Sequence, residues 1–250
     1  MMQLAYILIA FAVVGIHADE PERLVNAVNT SIDKYPFAVS ISKQGHHNCG
    51  GAIINKRFIL TAAHCVEPYK DKPIMNEMKV LSGTTTLNSG GVLYDIEDMY
   101  YHEKYDPQNV GYDIGLIKLA KDIEFNDVQK PVPLPSCDAP IPQGKRVSIV
   151  AWGRLFHRGP VSNNLQILNT FYMTYSECQK YHTQKIPAIE FCTFIAPSLG
   201  TCNGDSGSAV ICDGKIIGVV SAGRPCATGV PDIKTDICSH MDWIQNTMMN

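Results

Sequence analysis

The sequence predicts an all-β protein, a sandwich or barrel, finished by one C-terminal helix. Three observations predict it. First, β-branched or apolar runs recur along the chain: "PFAVSIS" (36–42), "AIINKRFILTAA" (52–63), "VSIVAWG" (147–153) and "KIIGVVSAG" (215–223), each bounded by Gly, Pro, Asn or Ser. Short strands at frequent intervals with turn residues between them read as a sandwich or barrel. Second, the Pro-rich stretch "KPVPLPSCDAPIPQG" (130–144) reads as a linker between two halves. Third, Met241, Ile244 and Met248 fall at helical spacing behind Ser239 as N-cap, which predicts an amphipathic helix over 239–249.

At 250 residues with 45% apolar content, the chain can bury a large core as one domain or two small ones. A net charge of −3 and the lack of any Lys/Arg run argue against a nucleic-acid-binding face. Leu4 to Ile16 is apolar but too short to span a bilayer. It ends near Ile16-His17-Ala18, a signal-peptidase site, so residues 1–18 read as a secretory signal and the protein as extracellular, with no membrane anchor. The missing Lys or Arg before the apolar stretch departs from the usual signal pattern, and the competing reading is a buried helix.

Export makes sense of nine cysteines: Cys49, Cys65, Cys137, Cys178, Cys192, Cys202, Cys212, Cys226 and Cys238. An odd number leaves at least one thiol free or paired between chains. None of them is spaced Cys-x2-Cys, which argues against zinc. Asn29-Thr30-Ser31 is a glycosylation sequon.

The chemistry-bearing candidates lie in three short stretches. "CNGDSG" (202–207) makes a poor helix and a poor strand; it reads either as a plain tight turn or as a turn that presents Ser206 as a nucleophile. A serine hydroxyl is a weak nucleophile and needs a base. "LTAAHC" (60–65) places His64 after an apolar run, and imidazole titrates near neutrality. "YDIGLIKL" (112–119) places Asp113 at the head of an apolar strand. Taken singly, His64 also reads as a packed or surface histidine and Asp113 as a strand-edge charge.

The order His64, Asp113, Ser206, with "CGGAII" (49–54), "TAAHC", "DIGLIKL", "AWG" (151–153), "CNGDSG" and "DWI" (242–244), resembles the chymotrypsin/trypsin family of secreted serine proteases. Other folds carry the same three residues in other orders. The resemblance covers nearly the whole chain after residue 23. It implies two six-stranded antiparallel β-barrels with the active site between them and a C-terminal helix outside. The implied layout is a signal peptide (1–18), an activation propeptide (19–23) and a peptidase domain (24–250). That domain divides into a first barrel of about 24–130, a second of about 131–238, and the helix.

The resemblance also implies roles. Ser206 attacks, His64 moves the proton, and Asp113 orients the imidazole. The amides of Gly204 and Ser206 form the oxyanion hole, and Ser221 lines the cleft beside Asp113. Asp205 pairs with a new α-ammonium made by a trypsin-like activator cutting between Arg23 and Leu24. Removing residues 1–23 takes away Arg23 and three acids, leaving a net charge of −1 and no strong field to steer substrates. The implied disulfides are Cys49–Cys65, Cys137–Cys238, Cys178–Cys192 and Cys202–Cys226. Cys212 is left as a free, buried thiol, because Val147 stands where its usual partner falls. The specificity pocket is implied to involve Gly200, Thr201, Gly223 and Asp232. Gly200 stands where trypsins carry Asp, and Asp232 stands on a wall where most relatives carry Gly. That combination resembles the brachyurins and some insect gut enzymes, which accept basic, aromatic and aliphatic residues. The competing reading makes Asp232 a solvated loop charge.

Several positions depart from the family. Leu24-Val25-Asn26-Ala27 replaces Ile-Val-Gly-Gly; Ala222 replaces a Trp; Ala151, Ser208 and Ala209 replace Gly, Gly and Pro. "SGTTTLNSGG" (82–91) lacks the acids of a calcium loop, so no metal is expected, and no cofactor either. The functional expectation is a monomeric secreted zymogen of a serine endopeptidase with chymotrypsin-like or broad specificity. Its partners would be protein or peptide substrates, its activator and protein inhibitors, and a digestive role follows by analogy. The alternative is a non-catalytic homologue that binds a partner.

Overall fold

The structure, a computed structural model, describes residues 27–197, 199–222, 226 and 229–249. Two antiparallel sheets of seven strands carry the fold. The first contains β2 (Ala38–Lys43), β3 (His46–Ile53), β4 (Phe58–Thr61), β5 (Met78–Ser82), β6 (Val92–Tyr94), β7 (Ile96–Tyr101) and β8 (Gly115–Leu119). Its neighbours run β6-β5-β2-β3-β4-β8-β7. Only Asp95 separates the two end strands in the chain, so residues 92–101 form one bent strand pairing first with β5 and then with β8. The register shifts between Ile96 and Asp98, a local irregularity of the kind that turns a strand. The sheet therefore curls on itself and is joined at that seam by covalent chain instead of a ladder.

The second sheet holds β9 (Arg146–Ala151), β10 (Gln166–Met173), β11 (Glu190–Phe194), β12 (Ala209–Cys212), β13 (Lys215–Val220) and β14 (Asp232–Asp236). These six close into a barrel, because β9 pairs with both β12 and β10. The seventh strand is β1 (Ala27–Asn29), which adds to β10 opposite Gln166 to Leu168. Residues 27–29 thus pair in the second half, not within the first barrel as the sequence suggests.

Local chemistry explains where the strands turn. The run 52–63 is two strands and not one: Asn55 Oδ1 accepts from the amides of Arg57 and Phe58, both at 2.8 Å, and reverses the chain. Gln44-Gly45 and Asp213-Gly214 carry φ of 50° and 81°, and 47° and 76°. Such paired positive φ values make the tight hairpin turns that suit twisted strands.

The linker crosses between halves without regular structure of its own. It is tied by Val132 N–H to Ile53 O at 2.9 Å and by Gly144 N–H to Tyr172 O at 2.9 Å. Buried Trp152 binds the two halves further, donating its indole N–H to Thr85 O at 3.1 Å. One short helix, α1 (Tyr175–Cys178), precedes β11, and the C-terminal helix α2 (Met241–Met249) buries Ile244 and half-buries Met241 and Met248 against the shared core. Ser239 does not cap it. Ser239 lies in a preceding 3-10 turn and donates both its amide and its hydroxyl to Asp236 Oδ2, at 2.8 and 2.6 Å. Among the described residues, no helix is long and apolar enough to cross a membrane.

Candidate active site

His64 sits in a 3-10 turn, Ala63–Cys65, directly after β4. Its neighbours Ala63 and Cys65 are buried, and a disulfide joins Cys65 to Cys49 on β3, so the turn is anchored on both sides of the histidine. Asp113, just before β8, is 6% exposed. One carboxylate oxygen accepts the His64 backbone N–H at 2.9 Å, and the other meets the imidazole Nδ1 at 2.8 Å. An ionised carboxylate can only accept, so Nδ1 carries the hydrogen and Nε2 is left as the basic nitrogen. Burial opposes a charged His64, but the hydrogen bond and negative charge of Asp113 outweigh it, and the pKa sits above the ordinary histidine value.

Two residues of the second half hold Asp113. Ser221 Oγ donates to the same carboxylate oxygen at 2.6 Å, and Thr235 Oγ1 donates to the Asp113 carbonyl at 2.9 Å. Burial would raise the Asp113 pKa; His64, Ser221 and the His64 amide together bring it below the ordinary value. Nearby Glu190 is 2% exposed, and burial followed by the Asp113 charge pushes its pKa well up.

The turn carrying Ser206 has two glycines in the left-handed region, Gly204 at φ 93° and Gly207 at φ 75°. Gly207 is also required by space. A Cβ there would lie 2.1 Å from Thr61 Oγ1 and 3.1 Å from the Ala62 amide, so the turn rests on the segment leading into His64. Gly50 N–H donates to Ser206 O at 2.8 Å. The amides of Asp205, Gly207 and Ser208 donate to Cys202, Val220 and Asp205 carbonyls, whereas those of Gly204 and Ser206 have no acceptor among the described residues. Two neighbouring N–H groups are thus free to meet an external oxygen. Ser206 is half-buried, and among the described residues no hydrogen bond joins its hydroxyl to His64.

Asp205 turns the other way, into the second barrel, where it is 5% exposed. Its oxygens accept the amides of Gly153 at 2.9 Å and Cys202 at 2.7 Å. Any Cβ at residue 153 would fall 2.1 Å from that carboxylate, which gives the glycine of "AWG" its reason. Asp205 borders a narrow cleft together with Ala27, Ile149, Leu168 and Gly200, with about 10 Å³ of free space, scarcely room for one water. Burial raises its pKa to about 7, despite the two amides. Among the described residues it makes no ion pair, and the charge of Lys234 only partly offsets its burial. Arg23 and Leu24 lie outside the described residues.

Thr201 and Asp232 meet directly: Asp232 Oδ2 accepts from the Thr201 amide at 2.7 Å and from its hydroxyl at 2.9 Å. Gly200, adjacent to Thr201, is buried. At 2% exposure Asp232 is not a solvated loop charge. Nor is its carboxylate open to a ligand, as the wall-acid reading expects, because Lys234 lies beside it. Lys234 is fully buried, with Nζ 3.9 Å from Asp232 Oδ2 and 3.1 Å from Thr201 Oγ1. Sequence reasoning misses Lys234, though "DIKTD" puts it on the same strand face as Asp232. Gly223 lies outside the described residues.

The four disulfides are Cys49–Cys65, Cys137–Cys238, Cys178–Cys192 and Cys202–Cys226, and Cys212 is a buried free thiol. Cys212 packs in one apolar cluster with Val147. The sulfurs of Cys49 and Cys65 near His64, and of Cys178 and Cys192 near His182, are oxidised and so are not thiolate ligands for a metal. Asn29 lies on β1, its side-chain oxygen bonded to Gln166.

Comparison with known proteins agrees with this architecture. The trypsin family model matches residues 24–244. Chymotrypsin-2 of Vespa crabro is 35% identical over 226 residues, covering 90% of this chain and 100% of its own. Trypsin-1 of Salmo salar is 31% identical and covers 99% of each chain. Among solved structures, neuropsin, a serine protease of mouse brain, superposes with a TM-score of 0.81 at 26% identity, covering 89% of this chain and 99% of its own. Human heparin binding protein superposes with a TM-score of 0.78 at 29% identity, covering 90% of this chain and 97% of its own. With a family match over most of its length, the same two-sheet fold and relatives that are themselves endopeptidases, this chain belongs to the trypsin family of serine endopeptidases.

Proposed function

We propose that the protein is a secreted serine endopeptidase, made as a zymogen and acting through Ser206, His64 and Asp113. The observation that carries this is the two-point grip of Asp113 on His64, on the backbone N–H and on Nδ1. It sets the tautomer in which Nε2 can take a proton. Ser206 Oγ attacks the scissile carbonyl and its proton passes to His64 Nε2. The carbonyl oxygen, now an anion, is met by the free amides of Gly204 and Ser206; one such donor is typically worth about 10²–10³ in rate. The proton then goes to the leaving amine, the peptide bond breaks, and the acyl chain stays on Ser206. Water repeats the cycle in reverse roles, releasing the acid and restoring the hydroxyl.

Activation follows from Asp205. Cutting between Arg23 and Leu24 by a trypsin-like activator creates an α-ammonium three residues before Ala27, and Ala27 borders the Asp205 cleft. A buried carboxylate that gains a cation is strongly stabilised relative to one left alone. Residues 1–18 act as the export signal, 19–23 as the propeptide and 24–250 as the enzyme. The enzyme acts as a monomer without cofactor, and protein inhibitors and glycosylation at Asn29 belong to the same reading. A digestive role follows by analogy alone.

The test is cleavage of a mixed-sequence peptide library by protein cut at Arg23, with Ser206→Ala as blank. Ser206-dependent cuts are expected, with a rate that climbs as pH rises through the elevated pKa of His64. No cuts, with Leu24 verified as the new terminus, would instead favour a partner-binding homologue.

A further inference from the structure

Most buried charges here have an evident role, Asp113 in holding His64 and Asp205 in awaiting a cation. The pair Asp232–Lys234 has none so far. Both residues lie on one face of β14, in the central part of the closed barrel between β11 and β13. Across the ladder that face meets Thr193 and Phe191. Thr201 joins the pair into a chain. The Lys234 ammonium donates to Thr201 Oγ1 at 3.1 Å, and that hydroxyl donates to Asp232 Oδ2 at 2.9 Å. A hydroxyl has one hydrogen to give, so this direction leaves it fully used.

We infer that Lys234 is a specificity-determining residue: it cancels the charge of Asp232 at the base of the substrate pocket and makes the pocket select uncharged residues before the cut. The inference rests on the reading that Gly200, Thr201 and Asp232 border that pocket. A Lys or Arg side chain entering it would seek Asp232 as counter-ion. It would find one oxygen of that carboxylate, Oδ2, already facing one ammonium and two hydrogen-bond donors from Thr201. It would also bring a second cation close to the first in a water-poor site, where like charges repel strongly. Aromatic and aliphatic side chains meet neither obstacle. The other charged group acting on Lys234 is Asp205. Once Asp205 has its α-ammonium, two acids face two cations and the region is neutral.

Chain cut at Arg23 is given a peptide library varied at the residue before the cut, with Ser206→Ala as blank, in four forms: native, Lys234→Met, Asp232→Asn, and the double variant. The native enzyme is expected to cut after Phe, Tyr and Leu at least about tenfold better than after Arg or Lys, a threshold below the factor that separates an unpaired from a paired buried charge. Lys234→Met leaves Asp232 without a cation and should raise Arg and Lys by about tenfold or more relative to Phe. Asp232→Asn leaves the ammonium alone and should raise Asp and Glu by a similar factor. The double variant should return the ranking to uncharged residues, whatever its absolute rate. If Lys234→Met fails to fold, Asp232→Asn and the double variant still decide. Native cutting after Arg and Lys on a par with Phe overturns the inference, as does a ranking unmoved by Asp232→Asn, while the protease reading stands in both cases. Absence of any Ser206-dependent cut in the native chain sinks the protease reading and this inference with it.

Discussion

The two sheets bury very different things. Inside the first, Ile41, Ile53, Ile59, Leu60, Leu116 and Ile117 are all fully buried, and its acid, Asp113, stands at the end of a strand. Inside the second, an apolar cluster of Ile149, Leu168, Phe191 and Val210 shares the barrel with Asp205, Asp232 and Lys234. Apolar burial stabilises at about 25 cal/mol per Å², whereas an unpaired buried charge costs several kcal/mol. The first half therefore holds His64 and Asp113 against an apolar interior, and the second gives part of its interior to the charges of Asp205, Asp232 and Lys234.

The largest test separates chemistry from packing. Asp113→Asn keeps the shape but favours the wrong imidazole tautomer, and kcat should fall by about 10⁴-fold. Steady-state kinetics on the cut protein reads it, and a loss under about tenfold would mean that Asp113 does not orient His64.

The next effect belongs to the second barrel. In the uncut chain Asp205 keeps its proton to about pH 7, whereas the unfolded group releases it near 3.8. The folded state binds more protons across that window, so stability should fall as pH rises from about 4 to 7, by on the order of 4 kcal/mol, and then level off. Urea unfolding at several pH values measures this. Asp205→Asn should make the profile shallower, and so should cutting at Arg23 if the new ammonium reaches the carboxylate, while Glu190, whose pKa is also pushed up, supplies a remaining slope of the same sign. A flat profile in the native uncut chain would remove the asymmetry between the halves.

A matched pair of truncations sharpens the contrast. Leu60→Ala in the first sheet should cost about 3 kcal/mol by cavity formation and leave the kcat of the folded enzyme alone. Leu168→Ala, a buried side chain that borders the Asp205 cleft, should cost a similar amount of stability, about 3 kcal/mol, yet should lower activity. Denaturation and active-site titration on both variants check it; equal effects on activity would break the comparison. The smallest change is at Ser221. Ser221→Ala removes one donor from Asp113, a loss of about 1 kcal/mol, which strengthens the pull of Asp113 on His64. The acid limb of the pH–rate profile should then move to higher pH by a few tenths, with a few-fold drop in rate near about pH 6.5. An unmoved limb would mean that the hydroxyl does not act on the pair.

Residue pattern alone is enough wherever the cause is local. The 204–207 turn needs glycines because its φ values are positive. The helical spacing of Met241, Ile244 and Met248 states which face packs, and strand-forming runs announce themselves by composition. The Asp213-Gly214 and Gln44-Gly45 hairpins are equally local, since Asp-Gly between apolar runs is itself a turn signal. The pairing of eight cysteines and the meeting of His64 with Asp113 are legible only through resemblance, since residues dozens apart carry no mark of contact. What tertiary structure alone decides is where both faces of an element are covered. Alternation in "DIKTD" would turn Asp232, Lys234 and Asp236 to water, yet β14 lies between two strands of a closed barrel and buries the first two of them. β1 joins the second sheet, Asp236 and not Ser239 receives the turn before α2, and the carboxylate of Asp232 is already taken. Each depends on a partner brought near by closure of a barrel. A sequence specifies residue types and periods, but the charge state and accessibility of a group depend on everything packed around it.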